Sequence, residues 1–325
     1  MPRANPFLAM VDGLSPDDFA LLSSAVAERR CREEVGFGTF AEAAALYRPD
    51  PPCPACKAKG AWRDGLTDAG VQRFLCHECG TRFNSLTGTV LERSKSDMPT
   101  WVDFVRLMRF NVPIDAIAEV CRVSHQTAWE RRHRLSEASD DCQERLVPRD
   151  GARSDETYPT DTDLTHGHGE AVKRGLSKQR ACVVVAIDVH RNPVAKACGH
   201  GKPSSKRVKD ALEKNVAEGS ALVGDRERAR NALVKAVKGT REACKADAKG
   251  PVHLERVAMV NNLRPWTKRC LWRFTGMEMK YPRSYLNWYV YLFRVKQARE
   301  RWPEIARVVR HILMTEGHFR SSRVR

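Results

Sequence analysis

The chain has 325 residues, of which 42% are apolar, so its length allows two or three domains with buried cores. It carries 56 basic and 40 acidic residues, a formal net charge of +16, which favours a polyanionic partner such as nucleic acid. No apolar run reaches the roughly 18–20 residues of a bilayer span, and no secretory signal is recognisable. We therefore exclude a membrane role and expect a cytoplasmic protein.

Residues 1–50 predict a helical N-terminal lead whose function the sequence does not indicate. Ser15 and Pro16 suit the cap and the first position of a helix, and apolar residues follow at helical spacing. The proline cluster at 49–52 marks the end of this segment, because proline cannot continue a helix.

Four of the eleven cysteines form two Cys-x-x-Cys pairs, Cys53 with Cys56 and Cys76 with Cys79. This spacing is typical of structural zinc sites with four thiolates. Ordinary buried cysteines or a redox pair are the alternative, but a redox motif needs one pair and not two. Since the segment 51–92 is too short to bury a core of its own, the sequence predicts a zinc ribbon there and no disulfide framework.

The segment 97–137 predicts helices, and within it 114–134 predicts a helix-turn-helix pair. Ser124 stands where it would cap the second helix. We expect that helix to expose residue types that reach base edges and phosphates in a major groove. These residues are Gln126, Thr127, Glu130, Arg131 and Arg134. The alternative is a plain helical pair with a solvated basic face, but the neighbouring cysteine pairs and the net charge favour DNA binding.

The second half of the chain predicts an α/β domain. Residues 181–189 and 194–197 predict a buried hairpin, and 206–216 and 228–237 predict helices on either side of a short strand at 220–223. Asp225 follows that strand directly, where open α/β sheets place their ligands.

Two-metal phosphoryl transfer needs two carboxylates on adjacent elements and a third ligand. Asp155 and Asp225 are the candidate carboxylates. Asn261 and Lys268 lie seven residues apart, two turns along one helix face, so an amide oxygen could reach a metal while the ammonium holds a phosphate.

Short motifs along residues 53–294 resemble, in their order, those of a group of insertion-sequence transposases. After the cysteine pairs these motifs are Phe83-Asn84-Ser85-Leu86-Thr87-Gly88-Thr89, Trp101, Thr127-Ala128-Trp129 with Arg132-His133-Arg134, Asp155-Glu156-Thr157-Tyr158, Arg174-Gly175-Leu176-Ser177, Val260-Asn261 with Lys268, Phe274-Thr275-Gly276-Met277, Lys280-Tyr281 and Tyr285-Leu286-Asn287-Trp288. The ordered set is specific, whereas each motif alone is only modestly so.

The resemblance implies a zinc ribbon and a helix-turn-helix domain followed by a ribonuclease H-like nuclease, an α/β domain with a mixed sheet. The nuclease would span 150–298, and 299–325 would form a basic C-terminal tail. Matched position by position, Asp155 and Asp225 are the catalytic aspartates, Asn261 is the third metal ligand and Lys268 is the phosphate-binding lysine. Glu255 is the alternative third ligand.

The implied cofactors are structural Zn²⁺ and catalytic Mg²⁺ or Mn²⁺. The implied partners are double-stranded DNA, at element ends and target, and further copies of the chain in a homo-oligomer on DNA, which would associate the protein with the nucleoid. The leading hypothesis is a transposase that cleaves and joins phosphodiesters by two-metal catalysis. The main alternative is a DNA-binding regulator with an inactive nuclease fold. A zinc-stabilised translation or RNA-processing factor fits the charge but leaves the helix-turn-helix unexplained.

Overall fold

The computed structural model describes residues 6–139, 143, 147–148, 152–159, 180–224, 228–243, 265, 282–297 and 303–315. The chain divides into two compact units. The first unit comprises residues 1–107 and 300–318, and the second comprises residues 108–299 and 319–325. None of the helices in these described parts has the length and hydropathy of a membrane span.

The first unit contains five helices within the described residues. They are α1 (Pro6–Asp12), α2 (Pro16–Val35), α3 (Phe40–Tyr47), α4 (Met98–Arg109), which ends just past the boundary of the unit, and α10 (Glu304–Met314). Ser15 caps α2 by accepting the backbone N–H of Asp18, as the sequence predicts. Thr39 caps α3 in the same way.

The helix α10 differs from the expected basic tail. It packs against α2 and α3 and buries an apolar face that includes Ile305, Val308 and Ile312. These residues recur at helical spacing, so a strong amphipathic pattern lies within a segment noted only for its charge. Within 97–137, most of α4 belongs to the first unit, and the helices after it belong to the second.

A three-stranded antiparallel sheet follows the first cysteine pair. Its strands are β1 (Trp62–Leu66), β2 (Gln72–Leu75) and β3 (Arg82–Asn84), in that order. Phe74 and Phe83 face each other across β2 and β3 with ring centroids 5.4 Å apart. With Cys53 and Cys76 they form a small buried core.

The second unit combines helices with a mixed sheet. Its helices, as far as the structure describes them, are α5 (Ile114–Val120), α6 (His125–Ala138), α7 (Ser205–Leu212), α8 (Asn231–Ala236) and α9 (Pro282–Gln297). Its strands are β4 (Ala152–Thr157), β5 (Ala181–Ile187), β6 (Pro193–His200), β7 (Ala221–Gly224) and β8 (Thr240–Ala243). Helix α6 packs against α5 and α9, while α7 and α9 pack against β6.

The strand order of this sheet is β6-β5-β4-β7-β8. The first three strands in the chain pair antiparallel, and β7 and β8 run parallel to β4. The predicted hairpin is β5 with β6, and β5 is buried along its whole length, which explains its continuous apolar sequence. The α/β fold class with a mixed sheet is thereby confirmed.

Candidate functional site

The four cysteines of the two pairs come together in the first unit. Their sulfur atoms all lie within 4.8 Å of one another. The Sγ atoms of Cys53 and Cys79 are 3.6 Å apart, and those of Cys56 and Cys76 are 3.5 Å apart. A tetrahedral ion with metal–sulfur distances of about 2.3 Å needs sulfurs about 3.8 Å apart, so this arrangement fits one metal ion.

Two turns with the same backbone pattern hold the sulfurs in place. In one, the N–H of Lys57 donates to the carbonyl of Cys53, and the N–H of Cys53 donates to the carbonyl of Ala58. In the other, Gly80 and Thr81 stand in the same relation to Cys76. Lys57 and Gly80, which follow the second cysteine of each pair, both have left-handed backbone conformations, with φ of 63° and 68°. The repeated knuckle therefore presents two thiols from each side.

One thiol of the cluster is already biased toward the form that binds metal. The side chain and the backbone of Thr81 lower the pKa of the Cys79 thiol to about 6. Thiolate is the ligand form of cysteine, so this hydrogen bonding favours occupation of the site. The four cysteines could hold a metal ion, and their donor set of sulfur atoms suits a soft or borderline cation.

The predicted helix pair at 114–134 is present as α5 and α6. The Ser124 hydroxyl caps α6 by accepting the N–H of Thr127 at 3.1 Å. Gln126 is exposed in the first turn of α6, and its amide donates to the carboxylate of Glu130 at 2.9 Å. Thr127, Glu130 and Arg134 are half-buried.

The expected exposure of Arg131 is wrong, because this residue is only 6% exposed. Arg132 and His133 are equally buried, and one guanidinium N–H of Arg132 donates to the carbonyl of Val112 at 3.1 Å. Burial, together with the neighbouring Arg132, lowers the pKa of His133 to about 4. The cause is that α6 packs against both α5 and α9, so most of its later residues are buried and its fully exposed side chains lie in the first turn.

Asp155 lies in β4, a central strand of the mixed sheet. Its side chain is half-buried, and its Oδ1 atom accepts the backbone N–H of Glu156 at 2.8 Å. Since side chains alternate along a strand, Asp155 and Glu156 point to opposite faces of the sheet. The structure therefore separates these two neighbouring carboxylates into different environments.

Glu156 is held on its own face by Arg230, a residue that the sequence analysis does not single out. Arg230 is 2% exposed and donates to the Ser154 hydroxyl at 2.7 Å, to the Ser154 carbonyl at 2.9 Å and to Glu156 Oε1 at 3.2 Å. Arg230 belongs to a short 3-10 turn between β7 and α8, so it ties that connection to β4. Arginines stand at 226, 228 and 230, and the sequence pattern does not indicate that Arg230 is buried.

Removing the buried ion pair between Arg230 and Glu156 is expected to destabilise the protein strongly. Replacing Arg230 with methionine keeps much of the side-chain volume but leaves the buried Glu156 carboxylate without its arginine, which should lower the free energy of unfolding by about 3–5 kcal/mol. The measurement is chemical denaturation of the full chain. Lys238→Met is the matched control, since Lys238 pairs with Glu218 at the surface and should cost about 1 kcal/mol or less.

A second variant separates the pair from general damage to packing. Adding Glu156→Gln to Arg230→Met also removes the carboxylate charge that Arg230 balances, so the double variant should recover part of the lost stability. Equal losses for Arg230→Met and Lys238→Met would contradict a buried ion pair at this position.

The other predicted catalytic residues, Asp225, Asn261 and Lys268, lie outside the described residues, as does the alternative ligand Glu255. Strand β7 ends at Gly224, one position before Asp225. Among the described residues, the structure therefore places one member of the predicted catalytic set, Asp155, and it does not bring that set together.

Comparison with known proteins gives a partial match. A segment of 89 residues, 27% of this chain, is 35% identical to a protein of Halobacterium salinarum described as an uncharacterized protein in transposable element ISH50. The match spans about 30% of that relative's length. No protein-family model matches the chain.

Two solved structures are similar over a larger share of the chain, but weakly. A pre-cleavage Mos1 transpososome and the Mos1 strand transfer complex cover 64% and 67% of this chain, and 75% and 79% of their own. Both are 9% identical in sequence, with TM-scores of 0.24 and 0.23. At such scores the likeness carries no argument about fold or function.

Proposed function

We propose that this chain is an insertion-sequence transposase that cleaves and joins DNA phosphodiesters with a ribonuclease H-like domain. The observation that carries the proposal is the parallel pairing of β4 with β7, with Ala152 beside Leu222 and Arg153 beside Val223. Asp155 lies on β4, and Asp225 is the residue that follows β7 in the sequence, so we propose that the two carboxylates act together. Two carboxylates on adjacent strands at the same edge are what two-metal phosphoryl transfer requires.

The topology of the sheet supports the same site. Strands β4, β5 and β6 extend to one side, and β7 and β8 extend to the other, so the strand order reverses between β4 and β7. Ligands of open α/β sheets bind at such a reversal, beyond the carboxyl ends of the strands. An antiparallel run of three strands followed by two parallel strands also suits a ribonuclease H-like domain. The relative from a transposable element agrees with this assignment.

Each residue of the proposed site has a separate task. The Asp155 carboxylate offers hard oxygen ligands, whereas the carboxylate of Glu156 is engaged by Arg230 on the other face. Asp225 and the Asn261 amide, or Glu255 in its place, would complete the ligand set, and Lys268 would neutralise a phosphate. Bound Mg²⁺ or Mn²⁺ ions would supply activation of the attacking oxygen and stabilisation of the leaving oxygen. A neutral amide as third ligand leaves more positive charge to face the phosphate.

The first turn of α6 is the proposed reader of DNA sequence. The exposed Gln126 amide is suited to pair with adenine in a major groove, and Thr127 and Glu130 stand beside it on the same part of the helix. The buried Arg131 is proposed to contribute to DNA binding only by holding α6 in position, which revises its expected base contact. The cysteine cluster, as a structural zinc site, would keep the ribbon folded.

The proposed reading role makes a prediction for Gln126. Gln126→Ala should weaken binding to the element's own ends by about 1–3 kcal/mol and leave binding to random duplex nearly unchanged. Binding isotherms at two salt concentrations measure both, since phosphate contacts are salt-dependent. Gln297→Ala is the matched control, because this exposed glutamine lies at the end of α9. Equal weakening on specific and random DNA would assign Gln126 to the backbone only.

The function itself is tested by incubating the purified chain with its own element ends and either Mg²⁺ or Mn²⁺. Strand cleavage at the ends, followed by joining to a target duplex, is the expected result. Specific binding without cleavage in the presence of either metal would contradict the proposed enzymatic activity and favour the DNA-binding alternative.

A further inference from the structure

The exposed large apolar side chains of the protein concentrate at its N-terminal helices. Of the fourteen such side chains among the described residues, seven lie between positions 7 and 26, with exposures from 41% to 71%. They are Phe7, Leu8, Met10, Phe19, Leu21, Leu22 and Val26. Exposed apolar side chains that share one face of a helix indicate an interface, whereas scattered single residues do not.

Three of these side chains form a stripe along one face of α2. Phe19, Leu22 and Val26 follow the spacing of three and four residues that aligns side chains on a helix, and all three lie within about 60° of one another. Leu21 is roughly 130° away from the middle of this stripe, although it is 70% exposed. The first half of α2, up to Val26, is exposed on all sides, so the stripe is open to a partner.

The charges beside the stripe indicate which partner fits. Asp18 and Arg29 are eleven residues apart, about three turns, and therefore lie on the same flank of the stripe within about 20°. The midpoint between them falls within one residue of the midpoint between Phe19 and Val26, about 1.5 Å along the helix. The Arg29 side chain is 80% exposed, and its only described ion pair is with Glu33, also at the surface.

The apolar stripe and the charges beside it are complementary to those of a second copy of α2 that runs antiparallel to the first. A two-fold axis through the middle of the stripe would place Phe19 of one copy against Val26 of the other, and the same axis would place Asp18 against Arg29. In a parallel pair, the flank that carries Asp18 and Arg29 would lie on opposite sides of the interface in the two copies, so these charges would not meet.

We infer that α2 pairs antiparallel with α2 of a second copy of this chain, through the stripe of Phe19, Leu22 and Val26 and the two Asp18–Arg29 contacts on its flank. The pairing is independent of the chemistry proposed above, since it needs neither DNA nor metal bound at Asp155. Through this pairing, two copies of the chain would form a two-fold symmetric dimer.

The test is sedimentation velocity of the full chain over a range of concentrations, without DNA. Dimers are expected, and Leu22→Glu should raise the dimer dissociation constant roughly a hundredfold or more, because two apolar side chains are lost from the interface. Leu21→Glu is the matched control, with the same change on the same helix but away from the stripe, and it should leave the dimer intact. Circular dichroism verifies that both variants keep their helix content.

Charge exchange tests the antiparallel direction. Asp18→Arg and Arg29→Asp should each raise the dissociation constant about tenfold, and the double variant should restore it, since opposite charges then face each other again. A monomer at every concentration, or equal effects of Leu22→Glu and Leu21→Glu, would overturn the pairing. Failure of the double variant to recover would overturn the antiparallel arrangement.

Discussion

Replacing Asp155 with asparagine is expected to lower the rate of strand cleavage by roughly three orders of magnitude or more, with little change in DNA affinity. The substitution keeps the shape of the side chain and removes the charge that would hold a metal. The side chain is half-buried and its described hydrogen bond, from the N–H of Glu156, can also be accepted by an amide oxygen. Single-turnover cleavage of the element's own ends measures the rate.

The control for Asp155→Asn is the same substitution at an aspartate that lies outside the proposed site. Asp210 is exposed on α7, so Asp210→Asn should cleave at the unaltered rate. Cleavage by Asp155→Asn at a rate close to that of Asp210→Asn would remove Asp155 from the proposed site, whatever the other residues do.

The third ligand is decided by variants of Asn261 and Glu255. Asn261→Asp restores a third carboxylate and should retain partial activity, whereas Asn261→Ala should not. Full activity of Asn261→Ala together with loss of activity in Glu255→Ala would move this role to Glu255.

The features that the sequence predicts correctly are mostly those set by neighbouring residues. Ser15 and Ser124 cap their helices because a hydroxyl can accept an N–H three residues ahead, which is a local relation. The two cysteine knuckles are also local, since each closes within six residues. The β5–β6 hairpin follows from two apolar runs joined by a short turn.

The features that the sequence does not predict depend on packing between distant segments of the chain. Arg131 resembles a surface residue until α5 and α9 cover α6, and no pattern within 114–134 reveals that the helix has two neighbours. Strand β4 lacks the apolar run of a central strand because its buried face carries Ser154 and Glu156, both bonded by Arg230. The polar pairing, which spans more than seventy residues, replaces the hydrophobic signal that sequence analysis relies on.

The geometry of the cysteine cluster suits one metal ion, and the sequence motif predicts that this ion is zinc. Elemental analysis should find one tightly bound zinc per chain, and a strong chelator should unfold the ribbon while the second unit stays folded. The physical reason is that the strands β1–β3 enclose only a small core around Phe74 and Phe83, so zinc binding, worth about 10–16 kcal/mol in isolated zinc fingers, would supply most of the folding free energy. Protection of amides in 51–92 from hydrogen exchange reports unfolding of the ribbon, and circular dichroism reports whether the second unit stays folded.

Cysteine variants assign the zinc to the cluster. Cys76→Ser should reduce the zinc content to well below one per chain, since three thiolates bind far more weakly than four. Cys31→Ser is the matched control, because Cys31 is equally buried in the first unit but bonds the carbonyl of Phe37, an interaction that serine can replace. If both variants retained a full zinc, the metal would lie elsewhere in the chain. If neither the metal nor chelation affected the ribbon, its fold would rest on the Phe74–Phe83 core alone.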